Sequence, residues 1–316
     1  MIDRKSAILI TGTTGMVGGE VLKLLKSEGF EKILAPARAE LNLSDPENVN
    51  QYFEKYQPKY VLMLAAKVGG IAANMADPVG FTDENLRIIL NLFDACHRFK
   101  TSKNLFLGSS CIYPKDISDL ITEDRLLTAP LEPTNEGYAL SKIVGLKLAK
   151  YYYEQYGMLT VCPMLSNVYG AGDHFEFNRA HVLSALVRRF VDARDQGDMK
   201  LTLWGTGIAK REFLHSVDTA RAILFFMDNV DVPDHINVGI GKDISIKELA
   251  GMIANEVGFD GEIQWDHSKP DGMLRKCLDI SKLNKLGFKP TVSLLEGIRR
   301  TIVDYDEIKK SGTLDI

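Results

Sequence analysis

The sequence predicts an α/β protein: a doubly wound parallel sheet followed by a smaller, interleaved C-terminal α/β unit. Three observations lead there. Short apolar runs alternate with helical patterns through the first half of the chain, which is the signature of βαβ units. The first apolar run opens into a glycine-rich turn and then a helix. The chain of 316 residues is also long for one domain, since most domains hold roughly 100–200 residues.

The elements follow in order. Ser6 to Thr11 (SAILIT) reads as a buried strand, and from Met16 to Glu28 the apolar Val17, Val21, Leu24 and Leu25 recur at helical spacing. Ile33 to Ala37 is a second strand, Pro46 to Tyr56 a helix and Tyr60 to Ala65 a third strand. A long amphipathic helix is expected over Thr82 to Phe99, then a strand over Asn104 to Gly108. A helix from about Glu136 to Tyr156 and a strand from Leu159 to Leu165 complete residues 1–165, the expected nucleotide-binding domain. Past Ser166 the pattern loosens. A helix is expected from about Arg179 to Ala193, with Asn178 as its cap and His181 in its first turn. A turn-rich segment surrounds Trp204-Gly205-Thr206-Gly207. Val217 to Met227 reads as helix and His235 to Val238 as strand, so 217–239 is expected to return to the first sheet. Ile244 to Val257, with Ser245 near its start, and Leu294 to Tyr305 are the last helices; 166–216 and 240–316 make up most of the expected substrate domain.

Composition narrows the function classes. The chain is 45% hydrophobic and 25% charged, with a net charge of −4. A mildly acidic surface argues against nucleic acid or an anionic membrane as the main partner. The longest stretch without Asp, Glu, Lys or Arg, Gln155 to Gly172, is broken by Pro163 and Asn167 and resembles no membrane span. Cys96, Cys111, Cys162 and Cys277 show no metal-ligand spacing, so no metal and a reducing, cytoplasmic setting are expected.

Three motifs carry chemistry. Gly12-Thr13-Thr14-Gly15-Met16-Val17-Gly18 joins the first strand to its helix. Glycines at that spacing give a tight turn, a close backbone approach to a pyrophosphate and a helix packed hard on the sheet. Arg38, at the end of the second strand, suits a ribose 2′-phosphate and favours NADP(H) over NAD, with Glu40 close by. Tyr138 and Lys142 form YxxxK, one helical turn apart, where an ammonium would lower the pKa of the phenol. Upstream, Ser109-Ser110-Cys111 leaves the Asn104–Gly108 strand at the carboxyl edge, where such sheets bind ligands. Ser109 and Cys111, two apart, point the same way in an extended segment. Read singly, Cys111 is a small buried filler and His181 a structural hydrogen-bonder.

Together these features resemble the extended short-chain dehydrogenase/reductase family. Longer strings narrow the resemblance to its GDP-L-fucose-forming branch: AAKVGGI from Ala65, LGSSCIYP from Leu107, LEPTNE from Leu131, His181-Val182 with Arg188-Arg189-Phe190, Trp204-Gly205-Thr206-Gly207, Arg211-Glu212-Phe213-Leu214-His215, and Lys269-Pro270-Asp271-Gly272. The resemblance implies a Rossmann-type fold and an NADPH-dependent enzyme acting on GDP-4-keto-6-deoxy-D-mannose. That activity inverts C3 and C5, with Cys111 as the base and His181 as the acid, then reduces the C4 ketone with Tyr138 as proton donor and Ser109 and Lys142 beside it. It also implies cofactor contacts from Gly12 to Gly18, Arg38, Ala65, Ala66, Leu107, Gly108, Ser109, Ser110, Tyr138, Lys142, Leu165, Ser166, Asn167, Val168 and His181. The sugar nucleotide falls to Arg189, Trp204, Arg211 and Asp271, with Lys276 a further candidate. A homodimer seamed by the Thr82–Phe99 and Glu136–Tyr156 helices is expected.

The chain departs from that branch at Thr14, where a basic residue is common, and at Leu165-Ser166 and Ala171–Phe175. A related GDP-4-keto sugar, such as a dideoxy or heptose analogue, therefore stands as an alternative substrate, and a non-catalytic NADP-binding protein on the same fold as an alternative of a different class.

Overall fold

The computed structural model describes residues 1–176, 180–269 and 271–312. Its centre is a parallel sheet in the order His235–Val238, Thr160–Leu165, Lys103–Phe106, Tyr60–Met63, Ile8–Ile10, Ile33–Leu34. Gly108–Ser109 continues the line of Lys103–Phe106 and pairs with the end of Thr160–Leu165. The register is set by pairs such as Ile8 with Tyr60, Tyr60 with Lys103 and Asn104 with Thr160. Because every strand runs the same way, their carboxyl ends form one edge, and the first strand's neighbours on either side make the switch point where such sheets open a crevice.

Both faces are covered, as the near-continuous apolar strands require. Helices Pro46–Tyr56, Pro78–Arg98 and Glu136–Tyr156 bury Phe53, Phe93 and Leu146 on one face. Helices Met16–Ser27 and Ser216–Asn229 bury Leu25, Ile223 and Phe226 on the other. Gly145 lets its helix come down on the sheet: a Cβ there would lie 2.2 Å from the Phe106 ring. A third core gathers Leu183, Phe190, Leu249, Ile253 and Ile298 between helices Val182–Gln196, Ile246–Val257 and Leu294–Ser311. Beside it, Lys200–Trp204 pairs with Glu262–Asp266.

The chain is clasped end to middle. The Ile2 backbone N–H donates to Asp228 at 2.8 Å, and Arg4 grips the same carboxylate at 2.7 and 2.6 Å.

Several boundaries differ from the sequence expectation. The long helix begins at Pro78 rather than Thr82, because Asp77 caps it through the Gly80 N–H and a proline at its first position fits a helix start. The second strand stops at Leu34, short of Ala37. The helix expected from Arg179 starts at Val182, and its N-cap is His181; Asn178 and Arg179 lie outside the described residues. Ser245 caps its helix with Glu248 in a reciprocal box. Among the described residues, no helix is long and apolar enough to cross a membrane.

Candidate active site

The glycine turn leaves the first strand at the switch point. Thr11 stitches that strand to its neighbour: its hydroxyl accepts the Leu64 and Ala65 N–H groups at 3.0 and 3.1 Å and donates to the Leu62 carbonyl at 3.2 Å. Gly12 then turns with φ of 76°, and a Cβ there would lie 2.9 Å from the Ala65 backbone. Gly18 is tighter still, since its Cβ would fall 2.1 Å from the Gly12 carbonyl oxygen. Gly15, exposed, is the N-cap of Met16–Ser27, and no side chain caps that helix and no acid sits in its first turn. The helix therefore presents its positive end and unclaimed N–H donors. A pyrophosphate fits such a cradle: Thr13, Thr14, Met16 and Val17 supply backbone at the helix start, and the Ala65 backbone faces Gly12 across it. Arg38 is 79% exposed and pairs with Glu84 at 2.9 Å. Glu84 also lies 3.7 Å from Lys67.

Along the same edge, Ser109 ends the sheet and its hydroxyl accepts the Cys111 N–H at 3.3 Å, capping the short turn Ser110–Ile112. Ser110, the first residue of that turn, is buried. Tyr113 then anchors the loop through a 2.6 Å hydrogen bond to buried Asn237. The Cys111 thiol receives Asn135 Nδ2 at 3.3 Å and Lys276 Nζ at 3.5 Å. Burial pushes this thiol up, but the Lys276 charge and hydrogen bonds with Ser109, Lys276 and Asn135 outweigh it, and the net shift is downward. The other three cysteines are free and buried, and desolvation raises each of them, Cys96 and Cys277 to about 12.

Tyr138 sits in the first turn of Glu136–Tyr156 and shares Ser109 with the thiol. Lys142 lies one turn on, buried, with Nζ 5.7 Å from the Tyr138 ring centre and donating to the Leu107 carbonyl at 2.8 Å. Here the sequence reading needs correcting. The phenol is raised, not lowered: burial dominates, the Cys111 charge adds to it, and the Ser109 hydrogen bond only opposes. Lys142 is itself pushed down to about 8 by desolvation. Tyr138 thus keeps its proton at neutral pH and is ready to donate it.

The loop after the central strand adds its own walls. Gly108 is packed so closely that a Cβ would meet the Met164 side chain at 2.1 Å. Leu165 and Ser166 are buried, and Asn167 donates to the Glu212 carbonyl at 2.9 Å. Asn167, Val168 and Tyr169 pair in parallel with Phe213–His215.

The outer residues form a second group. Trp204 is 69% exposed, with Lys269 over its ring at 5.7 Å. Asp271 accepts the Thr206 N–H at 2.7 Å and its hydroxyl at 2.8 Å, and those bonds lower its pKa. Gly205 must be glycine here: φ is 78°, and a Cβ would sit 2.4 Å from Asp271. Arg211 feels the Asp271 charge, and Arg189 donates to the Thr202 carbonyl on the strand that leads to Trp204. His181 stands apart, exposed at its helix N-cap. Among the described residues no hydrogen bond joins it to Cys111. Its neighbour is Asp173, a buried carboxyl raised by desolvation, opposed by the His181 charge, and bonded to Ser184.

Sequence reasoning passed over Asn135, Asp173 and Glu84. Asn135 lay inside the LEPTNE string, and Asp173 inside a segment noted only for its departures. Neither has a spacing relation to the residue it touches.

Residues 8–239 match the NAD dependent epimerase/dehydratase family. A probable GDP-L-fucose synthase 1 of Oryza sativa is 44% identical over 308 residues, covering 97% of this chain and 94% of its own. GDP-L-fucose synthase of Escherichia coli is 41% identical, covering 94% and 95%. The crystal structure of a GDP-L-fucose synthetase from Naegleria fowleri bound to NADP superposes with a TM-score of 0.91 at 30% identity, covering 98% and 96%.

Proposed function

Since the chain belongs to the NAD dependent epimerase/dehydratase family, we propose that it converts GDP-4-keto-6-deoxy-D-mannose to GDP-L-fucose. It is an NADPH-dependent enzyme that inverts C3 and C5 and then reduces the C4 ketone. The observation that carries this reading is a thiol held below its ordinary pKa by Lys276, sharing one serine with a protonated tyrosine. A plain ketone reductase has no use for the first of those groups.

The protons on C3 and C5 are acidic because each carbon adjoins the ketone. Cys111, its pKa lowered by the Lys276 charge and its hydrogen bonds against the opposing effect of burial, removes the proton, and His181 returns one on the opposite face. Ser109 and Tyr138 hydrogen-bond the C4 oxygen and stabilise the enolate charge. After epimerisation Tyr138 gives its proton to the same oxygen. Gly12 to Gly18, Ala65, Ala66 and Arg38 would hold the NADPH, Lys142 lies one turn beyond Tyr138, and Leu107 to Ser110 with Leu165 to Val168 would complete the cofactor pocket. When bound, that cofactor supplies the hydride for C4. Arg189, Trp204, Arg211 and Asp271 take the GDP moiety, with Trp204 free to stack on the base.

Leu90, Leu140, Val144 and Tyr151 are exposed apolar residues on the Pro78–Arg98 and Glu136–Tyr156 helices. We take them as the seam of a homodimer. Four free thiols suit the reducing cytoplasm.

NADPH oxidation in the presence of GDP-4-keto-6-deoxy-mannose, with the product identified by NMR, tests the reading. GDP-L-fucose is the expected product. An unepimerised 6-deoxy sugar would keep the reductase and remove the Cys111–His181 assignment. No turnover would point to a dideoxy or heptose analogue, or to a binding protein.

A further inference from the structure

Glu212 is a buried carboxylate for which the mechanism above has no use. It is 1% exposed, and among the described residues no ion pair reaches it. One oxygen accepts the Gly241 N–H at 2.6 Å and the Ile240 N–H, and the other accepts the Leu278 N–H at 2.9 Å. Asp243 and Cys277 are the titratable groups in electrostatic contact with it, and neither is a cation. Burying a carboxylate against backbone donors alone is expensive unless both oxygens are satisfied. Here three N–H groups from two segments converge on it.

Those segments matter. Lys210–Arg211 is the middle of a three-stranded ribbon, with Ile244–Ser245 antiparallel on one side and Arg275–Lys276 parallel on the other. Each strand is two residues long, too short to hold register by its own ladder. Glu212 follows the middle strand directly. It bonds the segment entering one neighbour, at Ile240 and Gly241, and the segment leaving the other, at Leu278. Two residues before Leu278 stands Lys276, whose Nζ reaches the Cys111 sulfur at 3.5 Å.

The geometry points to Glu212 as a positioning residue: its carboxylate locks the ribbon that sets Lys276 against Cys111 and Arg211 beside the sugar-nucleotide site. This rests on the reading of Cys111 as the base, but its test does not need turnover. Besides Lys276, the titratable groups that interact with the thiol are Tyr138 and Lys142, and neither is on the ribbon. The remaining cysteines, all raised by burial, are silent to a thiolate reagent at moderate pH.

The experiment is the pH dependence of iodoacetamide alkylation at Cys111, read peptide by peptide by mass spectrometry. It compares wild type, Glu212→Gln, Gly239→Ala and Lys276→Met. Gly239→Ala leaves the carboxylate in the chain but places a methyl 2.2 Å from its oxygen, so it displaces Glu212 without removing it and decides the matter if Glu212→Gln does not fold. The expected result is an alkylation midpoint moved upward in both variants, most of the way to that of Lys276→Met, with Glu212→Gln adding nothing in the Lys276→Met background. A lowered Tm with an unmoved midpoint would make Glu212 a merely structural group and overturn the proposal. If the midpoint moves but C3/C5 exchange does not slow, Glu212 keeps its role and the base assignment of Cys111 falls instead.

Discussion

The glycine cradle and the thiol site lie on the same edge of one sheet, yet they are made of different material. The cradle is backbone: Gly12, Gly15 and Gly18 within one turn, Thr11 tying it to the next strand, and a helix end left without a cap. The thiol site is assembled from side chains far apart in sequence, with Asn135 separated from Cys111 by 24 positions and Lys276 by 165. A backbone site is lost by adding atoms, and a side-chain site by removing them.

The strongest way to break this contrast is Cys111→Ala. General-base removal should slow C3/C5 proton exchange by about 10²–10⁴-fold, while NADPH titration by fluorescence should stay at wild type. If cofactor affinity fell equally, the two sites would not be separable.

Gly18→Ala is the converse. A methyl 2.1 Å from the Gly12 carbonyl has nowhere to go, and forced overpacking of roughly 1–3 kcal/mol should weaken NADPH binding by about 10–100-fold. The Cys111 alkylation profile should be unchanged.

Lys142 lies on the thiol side, within reach of the Cys111 charge, and its linkage to pH sharpens the comparison. Its pKa is pushed down to about 8 in the fold, so below that pH the folded protein carries a buried, protonated amine. Between pH 8 and the unfolded value the unfolded chain holds a proton that the fold has released, so stability from this group rises with pH. The gain is on the order of 3 kcal/mol. Urea melts of wild type against Lys142→Met should show the difference between the two narrowing or inverting across that window, with no change below it.

The smallest effect belongs to Glu84→Gln. Exposed pairs contribute about 0–1 kcal/mol, so freeing Arg38 for a 2′-phosphate should tighten NADPH about 2–4-fold and leave NADH nearly unmoved. Equal change for both cofactors would detach Arg38 from the 2′ position.

The same contrast explains what the sequence made legible. The cradle was readable because its geometry depends on residues adjacent in the chain, and Gly12, Gly15 and Gly18 state that geometry by lacking side chains. Tyr138 and Lys142 were readable as one turn of one helix, but the sign of the phenol's shift was not, because burial is a property of the packed core. Lys276 was only a loose candidate, since nothing in Arg275-Lys276-Cys277 says that a ribbon will bring it to Cys111. The start of the helix at Pro78 was missed because Ala76-Asp77-Pro78 reads as a break, when the aspartate and proline are in fact its cap and first position.

The clasp of Ile2 and Arg4 on Asp228 has a consequence for how the chain is made. The first strand is made early, but its anchor and the outermost strand, His235–Val238, come only after Val182–Gln196, the first helix of the third core, has been synthesised. Until then Thr160–Leu165 is an unpaired sheet edge, apolar on both faces, of the kind that recruits other chains. Such high contact order slows closure of the sheet. A chain stalled before Asp228 would therefore leave that edge open until His235–Val238 arrived to pair with it.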